Sequence, residues 1–142
     1  MKNMKPFLAL LTVAFFIVAL SACKGDKAEN ENLWDCAIYT EDKTFGIGER
    51  SFFAEVKAED ISVTFTINTD KENLEDALVE HKLIDGDKGP YGMYIKKVNG
   101  ITADYDIDKS YWALSQNGTP LATGASGVEI KGGEHFEFIH TR

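Results

Sequence analysis

Apolar and polar residues alternate along two neighbouring segments in the first half of the chain, 51–57 and 61–68. In the second segment every other residue is apolar: Ile61, Val63, Phe65 and Ile67. Side chains at alternate positions of a strand share one face, so each segment is predicted to be a strand with one buried face. The three residues between them are enough for a tight turn, which makes the pair an antiparallel hairpin.

The spacing of apolar residues changes to that of a helix after this hairpin. Leu74, Ala77, Leu78 and His81 lie three or four positions apart and would share one helix face. Asn73 is a suitable N-cap, because its side-chain oxygen can accept a hydrogen bond from the first helical turn. The pattern predicts one main helix over Leu74–Lys82.

Short extended segments and turns make up the remainder of the domain. Strands are predicted at 37–39, 91–98, 111–116, 128–130 and 134–140. Residues 40–50 are predicted to be a loop, and the run 85–90, rich in Gly, Asp and Pro, is predicted to interrupt the strands. These elements predict an α+β fold, for which a β-grasp-like mixed sheet with one main α-helix is the natural candidate.

Aromatic residues supply both the predicted core and the candidate ligand contacts. Neighbouring residues in a strand point in opposite directions, so Tyr111 and Trp112 cannot both enter the core. We assign Trp112 and Leu114 to the core because they provide apolar bulk, and we also assign Phe136 and Phe138, which share one face of the last strand.

Three tyrosines, Tyr91, Tyr105 and Tyr111, are then left as candidate ligand-binding residues. Exposed tyrosine rings can stack on a flat or sugar-like ligand. The alternative is that these rings simply cover sheet edges and loops, which is the commoner role of a surface tyrosine.

The first residues of the chain have the anatomy of a bacterial lipoprotein signal. Lys2 and Lys5 precede an apolar run over 7–20, which ends in Leu-Ser-Ala before Cys23. We expect residues 1–22 to be a cleaved signal peptide, 23–32 a lipidated cysteine with a polar tether, and 33–142 the folded domain. One alternative is a plain cleaved signal. The other is an uncleaved membrane helix, but the apolar run is short for a helix that crosses a membrane.

This reading places the mature protein at the extracytoplasmic face of the cell membrane, held by acyl chains on Cys23. A lipidated Cys23 would leave Cys36 without an intramolecular disulfide partner. Because free cysteine is usually well buried, Cys36 is expected to be a small buried apolar residue; the alternative is a reactive or intermolecular thiol. The whole chain has 15 basic and 23 acidic side chains and a net charge of −8. Cleavage before Cys23 would remove two lysines and no acid, leaving a charge of −10, which excludes nucleic acid as a partner.

Catalytic and metal-binding patterns are not found in the sequence. His81, His135 and His140 have no zinc-like spacing, so we predict no metal ligands among them. The D-x-D-x-D run at Asp104–Asp108 lacks the glycine and glutamate of an EF-hand loop, and a solvated acidic loop is the default interpretation. No nucleophile, base or phosphate-binding loop stands at a recognisable spacing, so we predict no enzyme and no cofactor.

Several short motifs in the second half occur in the order typical of one known family. They are Tyr91-Gly92-Met93-Tyr94-Ile95, the run from Val98 to Tyr105, Tyr111-Trp112-Ala113, Asn117-Gly118, Thr123-Gly124 and Glu134 to Ile139. Together they resemble a bacterial domain of unknown function related to the C-terminal domain of transcobalamin. The similarity extends over about Leu33–Arg142, and family members are commonly lipoproteins or surface proteins of Gram-positive bacteria.

The resemblance implies a β-grasp-like fold and a corrinoid as the sharpest ligand hypothesis. In transcobalamin this domain covers one side of the corrinoid, and a larger helical domain holds the other. Gly118-Thr119-Pro120 replaces the Gly-Glu-Tyr usual in the family, so any contact of that aromatic is lost. We therefore expect a non-catalytic binding module for a corrinoid or another small ligand, alone or with a surface protein partner. The alternative is a protein- or polysaccharide-interaction module at the cell surface with no small-molecule ligand.

Overall fold

The computed structural model describes residues 32–142, which form an α+β fold of strands in two sheets with one main helix. The strands are β1 (Lys43–Phe45), β2 (Arg50–Ala58), β3 (Ile61–Thr69), β4 (Ile84–Gly89), β5 (Gly92–Val98), β6 (Ile101–Thr102), β7 (Tyr111–Gln116), β8 (Thr119–Pro120) and β9 (His135–Thr141). The helices are α1 (Leu74–Glu80) and the one-turn α2 (Tyr105–Asp108), with 3₁₀ turns at Leu33–Cys36 and Ala125–Gly127. Across 32–142 no helix has the length and apolar character needed to cross a membrane.

The alternating pattern of the first hairpin produces the centre of the main sheet. β2 and β3 pair antiparallel with Val56 opposite Val63, so the apolar residues of both strands face the same side. β9 then lies parallel to β2 and places Phe136 beside Ala54 and Phe138 beside Val56. The full strand order is β1-β3-β2-β9-β7-β8. One face of this sheet is therefore a continuous apolar surface, as the period of two predicts.

Helix α1 covers that apolar surface. Leu74, Ala77 and Leu78 are at most 1% exposed, and the Asn73 side chain accepts a hydrogen bond from the backbone N–H of Asp76 at 2.9 Å. The predicted face and N-cap are thus confirmed. The helix ends two residues earlier than predicted, because Lys82 takes a left-handed φ of 56°, which cannot continue an α-helix.

A second, antiparallel sheet of order β4-β5-β6 replaces the single mixed sheet that the sequence predicted. β4 occupies most of the segment expected to interrupt the strands. Its pairing with β5 uses backbone groups, which Gly and Asp can supply without apolar side chains. Gly86 lies where the register shifts, and a Cβ there would come within 1.9 Å of the Tyr94 carbonyl oxygen. Only glycine allows this close pairing of the two strands.

The segment at 37–39 is not the predicted strand, and the predicted loop after it contains β1. The Asn99 side chain takes the hydrogen bonds that a strand partner would make: Oδ1 accepts from Tyr39 N at 3.0 Å, and Nδ2 donates to Tyr39 O at 2.8 Å. Asn99 is fully buried and has a φ of 51° in its Asn-Gly turn. It fastens Tyr39 to the second sheet.

Replacing Asn99 by Ala should lower the free energy of unfolding by about 1–3 kcal/mol, because two partly buried backbone groups of Tyr39 lose their partners. Asn117→Ala is the matched control: Asn117 has the same φ of 51° in an Asn-Gly turn but is exposed. Urea unfolding of both variants measures the difference. Equal losses in the two variants would show that turn geometry alone explains the role of Asn99.

Candidate functional site

A groove of about 420 Å³ opens between β5 of the second sheet and β7 of the main sheet. Its lining residues are Met93, Tyr94, Ile95, Tyr105, Tyr111, Trp112, Leu114, Leu121, Thr123, Gly124 and Ala125. We call it the aromatic groove. Its walls are mostly apolar and aromatic, with tyrosine and threonine hydroxyls as polar groups, which is the usual make-up of a small-ligand site.

Trp112 forms the floor of the aromatic groove and joins the two sheets. Its indole Nε1 donates a hydrogen bond across to the Ile101 carbonyl of β6 at 3.2 Å. Its ring meets the ring of His140 edge to face, with centroids 5.2 Å apart. Burial lowers the pKa of His140, and the nearby charge of Arg142 acts in the same direction. His140 is thus favoured as a neutral aromatic partner for Trp112.

Of the residues assigned to the core, Trp112, Phe136 and Phe138 are buried and Leu114 is half-buried. Leu114 packs against the core while it also lines the groove. Core and groove are therefore not separate on β7. Tyr111, which is 41% exposed, precedes Trp112 as the first residue of β7.

Tyr105 is brought to the groove by α2, which the sequence analysis did not predict. The Asp104 side chain caps this turn by accepting a hydrogen bond from Asp106 N at 3.1 Å, and Lys109 ends it with a φ of 64°. The Lys109 ammonium lies 4.8 Å from the centre of the Tyr105 ring, within cation–π distance. The acidic run therefore serves to shape the turn that carries Tyr105.

Asp108 fastens the other end of this turn. Its carboxylate accepts hydrogen bonds from the Ser110 backbone and hydroxyl and pairs with Arg142 at 2.8 Å. Burial opposes ionisation, but these hydrogen bonds and the Arg142 charge outweigh it and lower the pKa of Asp108 to about 2.

The third candidate tyrosine, Tyr91, lies outside the aromatic groove. It is 91% exposed in the turn between β4 and β5, where its carbonyl oxygen accepts a hydrogen bond from the Ser126 hydroxyl at 3.0 Å. Cys23, the predicted lipidation site, and the predicted signal peptide and tether up to residue 31 lie outside the described residues. Cys36, expected to be a small buried residue, is only half-buried, which corrects that expectation.

Two features were not predicted from the sequence, one in the aromatic groove and one elsewhere on the main sheet. The wall formed by Met93, Tyr94 and Ile95 depends on the second sheet, which local patterns did not separate from the first. On the opposite face of the main sheet, Glu55, His135 and Glu137 bring three metal-ligating atoms within 4.8 Å of one another. The spacing of His135 and Glu137 indicates one strand face, but Glu55 joins them only through the parallel β2–β9 pairing.

Comparison with known proteins agrees with this architecture. The α+β fold is similar to that of a domain in haptocorrin. Residues 71–139, which include every residue lining the groove, match the family described as "Domain of unknown function (DUF4430)". The resemblance to a domain of unknown function related to transcobalamin is therefore confirmed. A search of curated proteins gave no match.

The solved structures that are similar to the chain include the following two. The first is a candidate metal-binding protein from Ruminococcus gnavus ATCC 29149, with a TM-score of 0.62, 28% identity, and coverage of 66% of this chain and 98% of that one. The second is haptocorrin in complex with Cbi, with a TM-score of 0.54 and 22% identity. It covers 69% of this chain and 26% of haptocorrin, so this chain corresponds to about a quarter of that protein.

Replacing Asp108 by Asn should lower the free energy of unfolding by about 1 kcal/mol at pH 7, because the ion pair and charged hydrogen bonds at Asp108 are lost. The folded-state pKa of Asp108 is depressed from 3.8 to about 2. Its contribution is therefore complete above pH 4 and disappears as the pH falls towards 2. Asp106→Asn, in the same turn but exposed, is the control. A difference from wild type that persists unchanged at pH 2 would contradict this account.

Proposed function

We propose that this protein is a membrane-anchored extracytoplasmic lipoprotein and a non-catalytic binding module, whose aromatic groove takes a corrinoid or another small flat ligand. The observation that carries the proposal is the convergence of Tyr94, Tyr105, Tyr111 and Trp112 on one groove. Offset or edge contacts with aromatic rings stabilise planar ligands. A volume of about 420 Å³ is also within the range of small-ligand sites.

The fold supports a one-sided site. We infer a β-grasp-like arrangement: the first hairpin, β2–β3, is followed by α1, and the last strand, β9, returns parallel to β2. About three quarters of haptocorrin, which shares the fold, lies outside the part that matches this domain. A ligand in the groove would be covered on one side by β5 and β7. Its other side would face solvent or a second protein at the membrane.

A corrinoid should bind the groove with saturable heat, and removal of a stacking ring should weaken binding about three- to tenfold. We suggest titrating the full chain in detergent micelles with cyanocobalamin by calorimetry. Tyr105→Ala and Tyr111→Ala are the test variants, and Tyr91→Ala is the matched control because Tyr91 lies outside the groove. Absence of binding heat at near-millimolar cyanocobalamin would exclude a corrinoid as the ligand of the groove. So would a Tyr91→Ala variant whose affinity falls as much as that of the two test variants.

A second candidate function is favoured by a group of exposed side chains, mostly tyrosines, in and beside the groove. Tyr91, Tyr94, Tyr105 and Ile107 are between 48% and 91% exposed. Aromatic residues of this kind are enriched at protein interfaces. The second candidate is therefore a surface protein- or polysaccharide-interaction module. Tyr91→Ala would then weaken partner capture from membranes, whereas it leaves corrinoid binding unchanged.

The proposed anchor depends on Cys23 alone. Cys23→Ser should move the protein from the membrane fraction to the soluble fraction, because no acyl chains can be attached. Cys36→Ser is the matched control and should stay with the membrane. A thiol that carries lipid cannot form a disulfide, so the intact mass of the purified chain distinguishes an acylated Cys23 from an oxidised one. Membrane retention of Cys23→Ser would contradict the anchor.

A further inference from the structure

Three side chains meet on the face of the main sheet that lies opposite the core. Glu55 lies directly across from Glu137 in the parallel β2–β9 pairing, and His135 precedes Glu137 by two positions on β9. The His135 Nε2 atom lies 2.7 Å from Oε2 of Glu55. We call this group the outer-face cluster. Its three donor atoms lie within 4.8 Å of one another.

Each carboxylate of the outer-face cluster is oriented by a hydroxyl on a neighbouring strand. Ser62 of β3 donates to Oε1 of Glu55 at 2.6 Å, which leaves Oε2 towards His135. Ser115 of β7 donates a short hydrogen bond to Oε2 of Glu137, and the Gly118 backbone N–H donates to the same carboxylate. Hydrogen bonds of this kind commonly fix the direction of metal-binding side chains.

The charges of the cluster are unevenly compensated. Two like charges directly opposite each other on paired strands are destabilising. Glu55 has Lys57 at 3.6 Å and His135 beside it. Burial opposes its ionisation, but the Ser62 and His135 hydrogen bonds and the Lys57 charge outweigh this and lower its pKa. Glu137 is only 8% exposed, and within residues 32–142 it forms no ion pair.

We propose that Glu55, His135 and Glu137 form a binding site for a divalent transition-metal ion, with Zn²⁺ as the best match. One imidazole nitrogen and two carboxylate oxygens suit zinc, whereas calcium and magnesium take oxygen ligands almost exclusively. Three protein ligands leave a fourth position for water. The metal ion takes the place of the proton in the hydrogen bond between His135 and Glu55. The positive charge of the ion also offsets the negative charge of Glu137. Lys57, whose side chain is 40% exposed, can turn to solvent.

This site is separate from the aromatic groove. Residues 54, 136 and 138 alternate with the cluster residues along β2 and β9 and form the buried face of the sheet. The metal site therefore neither requires the groove nor contributes to it. It can be tested without any ligand for the groove.

The test is calorimetric titration of the full chain in detergent micelles with ZnCl₂ at pH 7.5. We expect one ion per chain, and we expect His135→Asn and Glu137→Gln each to weaken binding at least about tenfold. His140→Gln is the matched control, because it removes a histidine of the same strand on the opposite face. Zinc should also raise the melting temperature of wild type and of His140→Gln but not of His135→Asn.

Three results would overturn the proposal. The first is the absence of a saturable one-to-one heat. The second is binding that His135→Asn and Glu137→Gln leave within twofold of wild type while both remain folded by circular dichroism. The third is Ca²⁺ binding as tightly as Zn²⁺, since that would exclude a role for the imidazole. If one of these variants fails to fold, Glu55→Gln replaces it. A melting temperature that zinc raises as much in Glu55→Gln as in wild type would then overturn the proposal.

Discussion

The indole of Trp112 is the point at which the two sheets are held together. It is buried against the main core, and its N–H reaches the Ile101 carbonyl of the second sheet. A buried indole N–H without a partner would cost about 1–3 kcal/mol, so this bond fixes how β6 approaches β7. The space left between β5 and β7 is the aromatic groove. Its shape is therefore a consequence of how the core is closed.

The periodic parts of the fold could be predicted from the sequence. The β2–β3 hairpin and the face of α1 follow from apolar residues at every second position or at every third and fourth position. β4 could not be found in this way, since its pairing depends on backbone groups in a segment of Gly, Asp and Pro. Residues 37–39 were wrongly predicted to be a strand for a related reason: the backbone of Tyr39 bonds to the Asn99 side chain, 60 positions away.

In the candidate site, too, some residues could be predicted from the sequence and others depend on contacts between distant parts of the chain. Tyr105 and Tyr111 were predicted as ligand contacts, and both line the groove, whereas Tyr91 does not. Nothing local distinguishes these three exposed tyrosines. Their difference arises from α2, which Asp104 and Asp108 shape, and from the turn that directs Tyr91 away. The outer-face cluster was likewise missed, because Glu55 and Glu137 become neighbours only when β9 pairs with β2.

The main sheet therefore carries two sets of chemically distinct side chains on its two faces. On one side, α1 and the second sheet cover an apolar face, and the aromatic groove lies at its edge. On the other side, the carboxylates and imidazole of the outer-face cluster are held by serines of β3 and β7. The aromatic groove and the outer-face cluster share no residue. In the proposed anchored module, binding of a ligand in the groove would therefore not change the contacts of a metal ion at the cluster.

The two tryptophans of the chain allow a direct test of the groove. Trp112 lines it, whereas the Trp34 indole is buried elsewhere and donates to the Ala58 carbonyl at 2.9 Å. A ¹⁵N–¹H spectrum of the full chain in micelles should show one indole signal from each. On addition of cyanocobalamin, we predict that the Trp112 signal shifts in a saturable manner while that of Trp34 stays in place. Equal shifts of both signals, or none at near-millimolar ligand, would contradict the assignment of the aromatic groove as the binding site.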